Sequence, residues 1–183
     1  MYPDTPEHVQ SFVKHIPSLH FTLRTGQPGS TRLTGHRLSS VAEFTGKHIA
    51  HASWTSSLPA GEDVQDIIKP NRGPVASFGK VLGNRTTLYK YLNPNLLAVT
   101  TNSLKDAVPS CGIYVIDSAK GTTIYHAVLP AVSGSCNVKA ALTENWLVYH
   151  YYDNDAGVDQ AKGYRLVSVE FYEGSHVNDK IGR

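Results

Sequence analysis

Three stretches of this sequence carry residue types that could do chemistry, and the first is similar to a phosphate-binding loop. In "GPVASFGKV", residues 73–81, a lysine follows a glycine. The phosphate-binding motif has four residues between its glycines, and a Ser or Thr that holds magnesium after its lysine. Here five residues separate Gly73 from Gly79, and Val81 follows Lys80. We therefore predict no nucleotide site.

The second stretch, "DNDAGVDQ", places Asp153, Asp155 and Asp159 at alternating positions, as calcium loops do. A calcium loop also needs a glycine for its sharp turn and a bidentate glutamate. Val158 and Tyr164 stand at those two positions. We interpret this stretch as the solvated tip of a hairpin.

Histidines offer the third kind of chemistry. His48 and His51 lie three residues apart, so on a β-strand they point to opposite faces and cannot bind one metal ion. A Ser-His-Asp triad assembles through space and stays open at this point, although the sequence has no Gly-x-Ser-x-Gly elbow. We predict no catalytic, cofactor-binding or metal-binding residue.

Composition narrows the class of protein. The 183 residues, 40% of them hydrophobic, suffice for one domain with a sizeable core. Seventeen basic and fifteen acidic side chains give a net charge of +2 without a dense basic run, which argues against a nucleic-acid partner. No window reaches the roughly 18 consecutive apolar residues of a membrane helix, and the start "MYPDTPEHVQ" lacks a signal-peptide pattern.

The elements that must position these residues begin with one short helix. Asp4 or Thr5 can cap it, Pro6 suits its first turn, and Pro17 ends its apolar periodicity. The β-rich stretches "HFTLRTG", "GHRLSSVAEF" and "HIAHASWT" then predict antiparallel strands. Residues 58–79 hold three prolines and three glycines, so we interpret them as a surface connection. We accordingly divide the chain into residues 1–70, a helix plus strands that could belong to a blade, and residues 71–183, a propeller-blade region.

Strands and turns alternate from Leu88 onward, in the order typical of a β-propeller blade. In "GIYVIDSAKGTTIYHAVLP", Gly121 can take the positive φ that closes a hairpin, and Asp117 can accept bonds from the following N–H groups. We predict a mainly β fold: a partial, quinoprotein-like propeller of antiparallel blades with one short N-terminal helix. Four strands from Leu96 to about Ala141 would form one blade, and residues 146–172 would begin the next.

Two details of this region are predicted from local pattern. In "LNPNLLAV", the asparagines flanking Pro94 would form a turn, and residues 96–99 would be a fully buried strand. In "WLVYHYYD", both faces of the predicted strand carry bulky side chains, which indicates packing between blades. We therefore predict that Trp146 is buried and that its removal costs about 3–5 kcal/mol.

The string "VLGNRTTLYKYLNPNLLAVTT" resembles one family, subunit 1 of the endoplasmic reticulum membrane protein complex. The resemblance continues through "IYVIDSAKGTTIYHAVLP" and "TENWLVYHYYD" to "SVEFYEGS", and so covers residues 79–175. It implies a lumenal, non-catalytic, propeller-rich scaffold in a complex that inserts and helps fold membrane proteins. The implied partners are the other subunits of that complex, with no nucleic acid and no cofactor.

Members of this family have a signal peptide, a much longer chain and a membrane helix near the C-terminus, so we expect this sequence to be an internal fragment. Membrane contact would then belong to other parts of the parent chain. The alternative is a fragment of a quinoprotein-like propeller enzyme, and a third reading is a peptide-binding propeller fragment. Asn84, in the sequon Asn-Arg-Thr and beside Gly83 in a predicted turn, becomes a glycan acceptor if the parent is lumenal.

The cysteines give two opposing expectations. Composition alone favours a reduced, buried pair, whereas the oxidising lumen implied by the resemblance favours a disulfide. In a four-stranded meander, Cys111 would begin the second strand and Cys136 the fourth, with their Cα atoms roughly 9–10 Å apart. A disulfide spans at most about 7 Å between Cα atoms, so we expect no bridge.

Overall fold

The computed structural model describes residues 5–40, 48–71, 73–103, 109–132, 134–154 and 161–174. Within these ranges the chain forms one α-helix, one short 3₁₀ helix and twelve β-strands. The helices are α1 (Pro6–His15) and the 3₁₀ helix (Ile16–Ser18), and the strands are β1 (His20–Thr25), β2 (Arg32–Ser40), β3 (His48–Ser57), β4 (Glu62–Ile68), β5 (Gly79–Val81), β6 (Thr87–Tyr89), β7 (Leu96–Ser103), β8 (Ser110–Asp117), β9 (Thr122–Pro130), β10 (Lys139–Thr143), β11 (Trp146–Asp153) and β12 (Gly163–Glu170).

The predicted N-terminal helix is confirmed. Thr5 is its N-cap and accepts a hydrogen bond from the backbone N–H of His8 at 3.4 Å, which satisfies one of the free donors of the first turn. Pro6 occupies the first turn, where a missing N–H costs nothing. The α-helix ends at His15, before Pro17, and a 3₁₀ turn then continues through Pro17 and buries Ile16.

The strands form three antiparallel sheets that pack in layers, with a separate hairpin made of β5 and β6. The first sheet has the order β1-β2-β3, the central sheet β4-β7-β8-β9, and the third β10-β11-β12. Each face of the central sheet packs against a neighbouring sheet. One face packs against the first sheet, and the buried residues of this interface are Leu33, Val64, Val99, Tyr114 and Ile116. The other face packs against the third sheet, and the buried residues there include Leu96, Ala98, Ile113, Val115, Leu142, Leu147 and Tyr149. This face-to-face stacking of antiparallel sheets confirms the mainly β, blade-like fold.

The predicted limits of the blade are wrong by one strand. The central sheet begins with β4, which lies inside the stretch interpreted as a surface connection and pairs with β7 from Glu62 opposite Ser103 to Ile68 opposite Ala98. Residues 139–143, assigned by sequence to the end of this blade, begin the third sheet instead. The physical reason is that the β5–β6 hairpin is inserted between two paired strands, so the meander is interrupted in sequence. The division of the chain near residue 70 stays a prediction.

The expectation for the cysteines is also wrong. Cys111 and Cys136 form a disulfide, with 5.6 Å between their Cα atoms. Cys136 does not lie on a fourth strand of the same sheet. It lies in the segment that leads from β9 to β10, and this segment packs against Cys111 in the core between two sheets, where the two residues are 5% and 1% exposed.

The predicted hairpin turn between β8 and β9 is confirmed. Asp117 Oδ1 accepts a hydrogen bond from the N–H of Ala119 at 2.9 Å, and Gly121 adopts a φ of 76°. Sequence reasoning gave no role to Trp54, whose indole covers Gly121 and donates to the carbonyl of Ser118 at 2.8 Å. The turn is therefore a point where β3 of the first sheet holds the central sheet.

The asparagine turn is confirmed as well. Asn93 Oδ1 accepts from the N–H of Asn95 at 2.9 Å, and Asn93 Nδ2 donates to the carboxylate of Asp117 at 3.0 Å. Residues 96–99 are 0–7% exposed, as a strand covered on both faces must be. The burial predicted for Trp146 is wrong, because this side chain is only half-buried, on the face of β11 that lies opposite Leu147 and Tyr149.

Candidate modification site and buried acidic cluster

The β5–β6 hairpin carries Asn84, the predicted site residue. The hairpin closes through hydrogen bonds from the N–H of Leu82 to the carbonyl of Thr86 and from the N–H of Arg85 to the carbonyl of Leu82, both at 2.9 Å. Arg85 has a φ of 67°, so a three-residue loop ends in the left-handed conformation that matches the twist of the strands. The expected turn is present, and its positive φ lies at Arg85.

Asn84 is exposed at the tip of this hairpin. Its Oδ1 accepts one hydrogen bond from the N–H of Thr86 at 3.1 Å and another from the hydroxyl of Thr86 at 2.6 Å. Both bonds span two residues, so they depend on the local sequence and not on distant packing. Oδ1 accepts both bonds, so neither of them uses the amide nitrogen Nδ2 of Asn84.

The base of the hairpin is fixed to the rest of the chain. The N–H of Glu173 donates to the carbonyl of Tyr89 at 2.8 Å, and the N–H of Tyr91 donates to the carbonyl of Phe171 at 3.0 Å. Lys90 also forms a half-buried ion pair with Glu144 at 2.8 Å. The strands are thus anchored at one end, and the loop with Asn84 projects from the other.

A buried acidic cluster, missed by sequence reasoning, lies at the start of β4. Glu62 is 8% exposed and accepts hydrogen bonds from the hydroxyl of Thr101 and from the hydroxyl of Tyr114, the latter at 2.9 and 3.0 Å. The three side chains come from β4, β7 and β8 of the central sheet. Gly112 makes room for them, because a Cβ at this position would lie 2.5 Å from Glu62 Oε1.

The electrostatics of this cluster keep its hydroxyls as donors. Burial, together with the hydrogen bond to Glu62 and its negative charge, raises the pKa of Tyr114 well above its usual range. The ring of Tyr114 stacks on His126 with 4.1 Å between ring centroids. The arrangement can compensate a buried acid, since hydroxyl donors replace the water that the carboxylate loses on burial. The glycine within β8 was the available signal, because glycine inside a strand marks a close approach of another group.

Among the described residues, the remaining candidates from the sequence make other contacts. His48 and His51 both lie on β3, and the ring of His48 meets Phe12 edge to face with centroids 5.6 Å apart. Asp153 pairs with Arg165 at 3.4 Å, whereas Asp155 and Asp159 lie outside the described residues. In the part of the chain that the structure describes, no group of three or more His, Cys, Asp or Glu side chains could hold a metal ion.

The helices of the described residues are short. None of them has the length and apolar character needed to cross a membrane.

Comparison with known proteins shows which family this chain resembles. The model of "ER membrane protein complex subunit 1, second beta-propeller" matches residues 1–183. The ER membrane protein complex subunit 1 of Schizosaccharomyces pombe is 40% identical over 129 residues, which are 70% of this chain and 14% of that protein. The subunit 1 protein of Xenopus laevis is 37% identical over 178 residues, which are 95% of this chain and 16% of that protein. The subunit 1 protein of Gallus gallus is 32% identical over 180 residues, which are 95% of this chain and 17% of that protein.

This chain therefore spans about one sixth of the length of these relatives. The match to the propeller model agrees with the stacked antiparallel sheets described above. The chain belongs to the family of ER membrane protein complex subunit 1.

Proposed function

We propose that this chain is a lumenal, non-catalytic scaffold region of the endoplasmic reticulum membrane protein complex, and that the complex inserts and helps fold membrane proteins. The observation that carries the proposal is the match of the whole chain to the second propeller of a complex subunit. The partners proposed are the other subunits of the complex. Contact with the membrane is proposed only for parts of the parent protein outside these residues.

The exposed face of the third sheet supports a role in protein contact. On β12, Tyr164 is 70% exposed and Leu166 is 75% exposed, and they alternate with less exposed residues. Across the sheet they lie opposite Tyr152 and His150 of β11, and the ring of Tyr164 contacts both. Adjacent large apolar side chains on one open face are typical of a surface that packs against another protein layer.

The buried acid supports a structural role over a catalytic one. A general acid or base has to reach a substrate, whereas the carboxylate of Glu62 is 8% exposed and accepts hydrogen bonds from Thr101 and Tyr114. We expect this cluster to stabilise the central sheet. The alternative of a quinoprotein-like enzyme remains an outcome of the experiment that follows.

The test uses the full-length parent protein, expressed in its host in place of the endogenous copy. Leu166→Glu, with Tyr164→Glu as a second variant, places charge on the exposed face of β12. We expect less co-purification of the other subunits, and a proportional loss in the insertion of a multi-pass membrane protein. Val81→Glu is the matched control, because Val81 is 69% exposed on a different element. Unchanged co-purification with both β12 variants would count against the scaffold proposal.

Glu62→Gln and Tyr114→Phe separate a scaffold from an enzyme. Both variants keep the size of the side chain and alter its proton chemistry. For a scaffold, the insertion activity per assembled complex stays at the wild-type level. A variant that assembles fully and yet abolishes insertion would favour the enzyme.

A further inference from the structure

We propose that Asn84 is N-glycosylated, with its amide Nδ2 as the acceptor and a polyprenyl-pyrophosphate-linked oligosaccharide as the donor. The inference rests on the proposed lumenal placement, since this modification belongs to secreted and lumenal chains. It assigns a chemical role to a hairpin that the scaffold proposal does not explain.

The reaction is a group transfer without oxidation or reduction. Nδ2 of Asn84 forms a bond to the anomeric carbon of the first sugar, and the bond between that carbon and the pyrophosphate oxygen breaks. The pyrophosphate leaves with the bonding electron pair, and one amide proton passes to a base. The product is a neutral glycosyl amide, so the hairpin gains bulk and polarity without charge.

The sequence requirement is met by residues that the hairpin holds in contact. The sequon needs a hydroxyl two residues after the asparagine and tolerates any residue except proline between them. Thr86 supplies that hydroxyl and donates it to Asn84 Oδ1 at 2.6 Å, and the intervening Arg85 is exposed. Because the contact is local, the nascent chain can form it before the sheets assemble.

The folded structure accommodates the product. Gly83, Asn84 and Arg85 are all exposed, so a glycan at the tip displaces no core side chain. Val81 of the same hairpin and Phe78, the residue directly before β5, are 69% and 70% exposed. A flexible, polar glycan on this hairpin would hinder other proteins from reaching this apolar surface.

The experiment again uses the full-length parent from its host. Treatment with a peptide N-glycosidase, an amidase that removes the whole glycan, is followed by electrophoresis. The same hydrolysis in ¹⁸O-water converts a glycosylated asparagine to ¹⁸O-labelled aspartate, which peptide mass spectrometry detects. We expect that Asn84→Gln and Thr86→Ala each abolish the mobility shift that one glycan causes, and that neither variant gives the labelled peptide. Thr86→Ser keeps the hydroxyl and is expected to retain both.

A second acceptor separates failure of this inference from failure of lumenal placement. Lys120 is exposed in the turn between β8 and β9, and Lys120→Asn creates the sequon Asn-Gly-Thr there. Modification of this engineered site without modification of Asn84 would overturn the inference and leave the lumenal proposal standing. If neither site is modified, lumenal placement itself is refuted and the inference falls with it.

Discussion

Removing the disulfide between Cys111 and Cys136 is expected to lower the free energy of unfolding by about 3.5 kcal/mol. The two residues are 25 positions apart. In the chain-entropy model, opening a loop of this length returns about 12 cal/mol/K to the unfolded state, which is about 3.5 kcal/mol at 25 °C. For a folding unit of this size, the midpoint of thermal unfolding would fall by roughly 7–14 °C.

A double-mutant cycle distinguishes a bridge from two buried thiols. If the bridge exists, Cys111→Ala alone breaks it, and adding Cys136→Ala costs little more. If the thiols are independent, the two costs add, and the double variant is destabilised by their sum. The assay is pulse proteolysis of the full-length parent across a urea series, with peptides from this region measured by mass spectrometry. Additive costs, together with insensitivity to a reducing agent, would refute the reasoning.

Peptide mapping without reduction gives the direct readout of the same bridge. Trypsin cuts after Lys105, Lys120 and Lys139, so each cysteine lies in its own peptide, residues 106–120 and 121–139. We expect one cross-linked species that separates into these two peptides on reduction. Two alkylated peptides, obtained when free thiols are blocked before digestion, would show that the cysteines are not paired.

Three other substitutions test the packing between strands and sheets. Gly112→Ala is expected to lower the free energy of unfolding by about 1–3 kcal/mol, because the new methyl group would meet Glu62. The control Gly163→Ala places its methyl group in open space and should change that free energy by no more than about 0.5 kcal/mol. Equal costs for the two variants in pulse proteolysis would contradict this. Trp54→Phe should cost about 1–3 kcal/mol by leaving a main-chain carbonyl without the indole donor, and no change in the urea midpoint would refute that role. The folded state raises the pKa of Tyr114, whereas an unfolded tyrosine ionises near pH 10. The free energy of unfolding should therefore fall as the pH rises above about 10, and Tyr114→Phe should reduce this fall. The same pH dependence in the variant would argue against this role of Tyr114.

The features predicted correctly from the sequence are those in which a side chain bonds a backbone group two or three residues away. The cap at Thr5, the turn that begins at Asp117 and the asparagine turn at Asn93 are of this kind. Each depends on a short polar side chain whose oxygen reaches a nearby N–H, so neighbouring residues decide the geometry. The Asn84 loop belongs to the same class, and its turn was also found.

The features missed are those that depend on pairing between distant strands. β4 carries acidic residues in a stretch rich in proline and glycine, which conceals a strand whose Glu62 and Val64 are buried. Its partner β7 begins only after the inserted hairpin, so the distance along the chain hides the pairing. Burial of Glu62 is possible because Thr101 and Tyr114, on other strands of the same sheet, donate hydrogen bonds to its carboxylate. No local sequence pattern predicts these contacts.

The mistaken blade limits and the mistaken cysteine expectation have one cause. Once β4 is the first strand of the central sheet, Cys136 lies where the chain crosses from the last strand of one sheet to the first strand of the next. Gln65 of β4 donates to the carbonyl of Cys136 at 2.9 Å, and the N–H of Asn71 donates to the carbonyl of Leu142 at 2.9 Å. The first strands of consecutive sheets therefore lie side by side, as they do around the axis of a propeller. The disulfide fixes the crossing segment to the core between those sheets. Two cysteines on non-adjacent strands of one sheet would be too far apart to form a bridge, whereas a cysteine in the crossing segment can reach one on the neighbouring sheet.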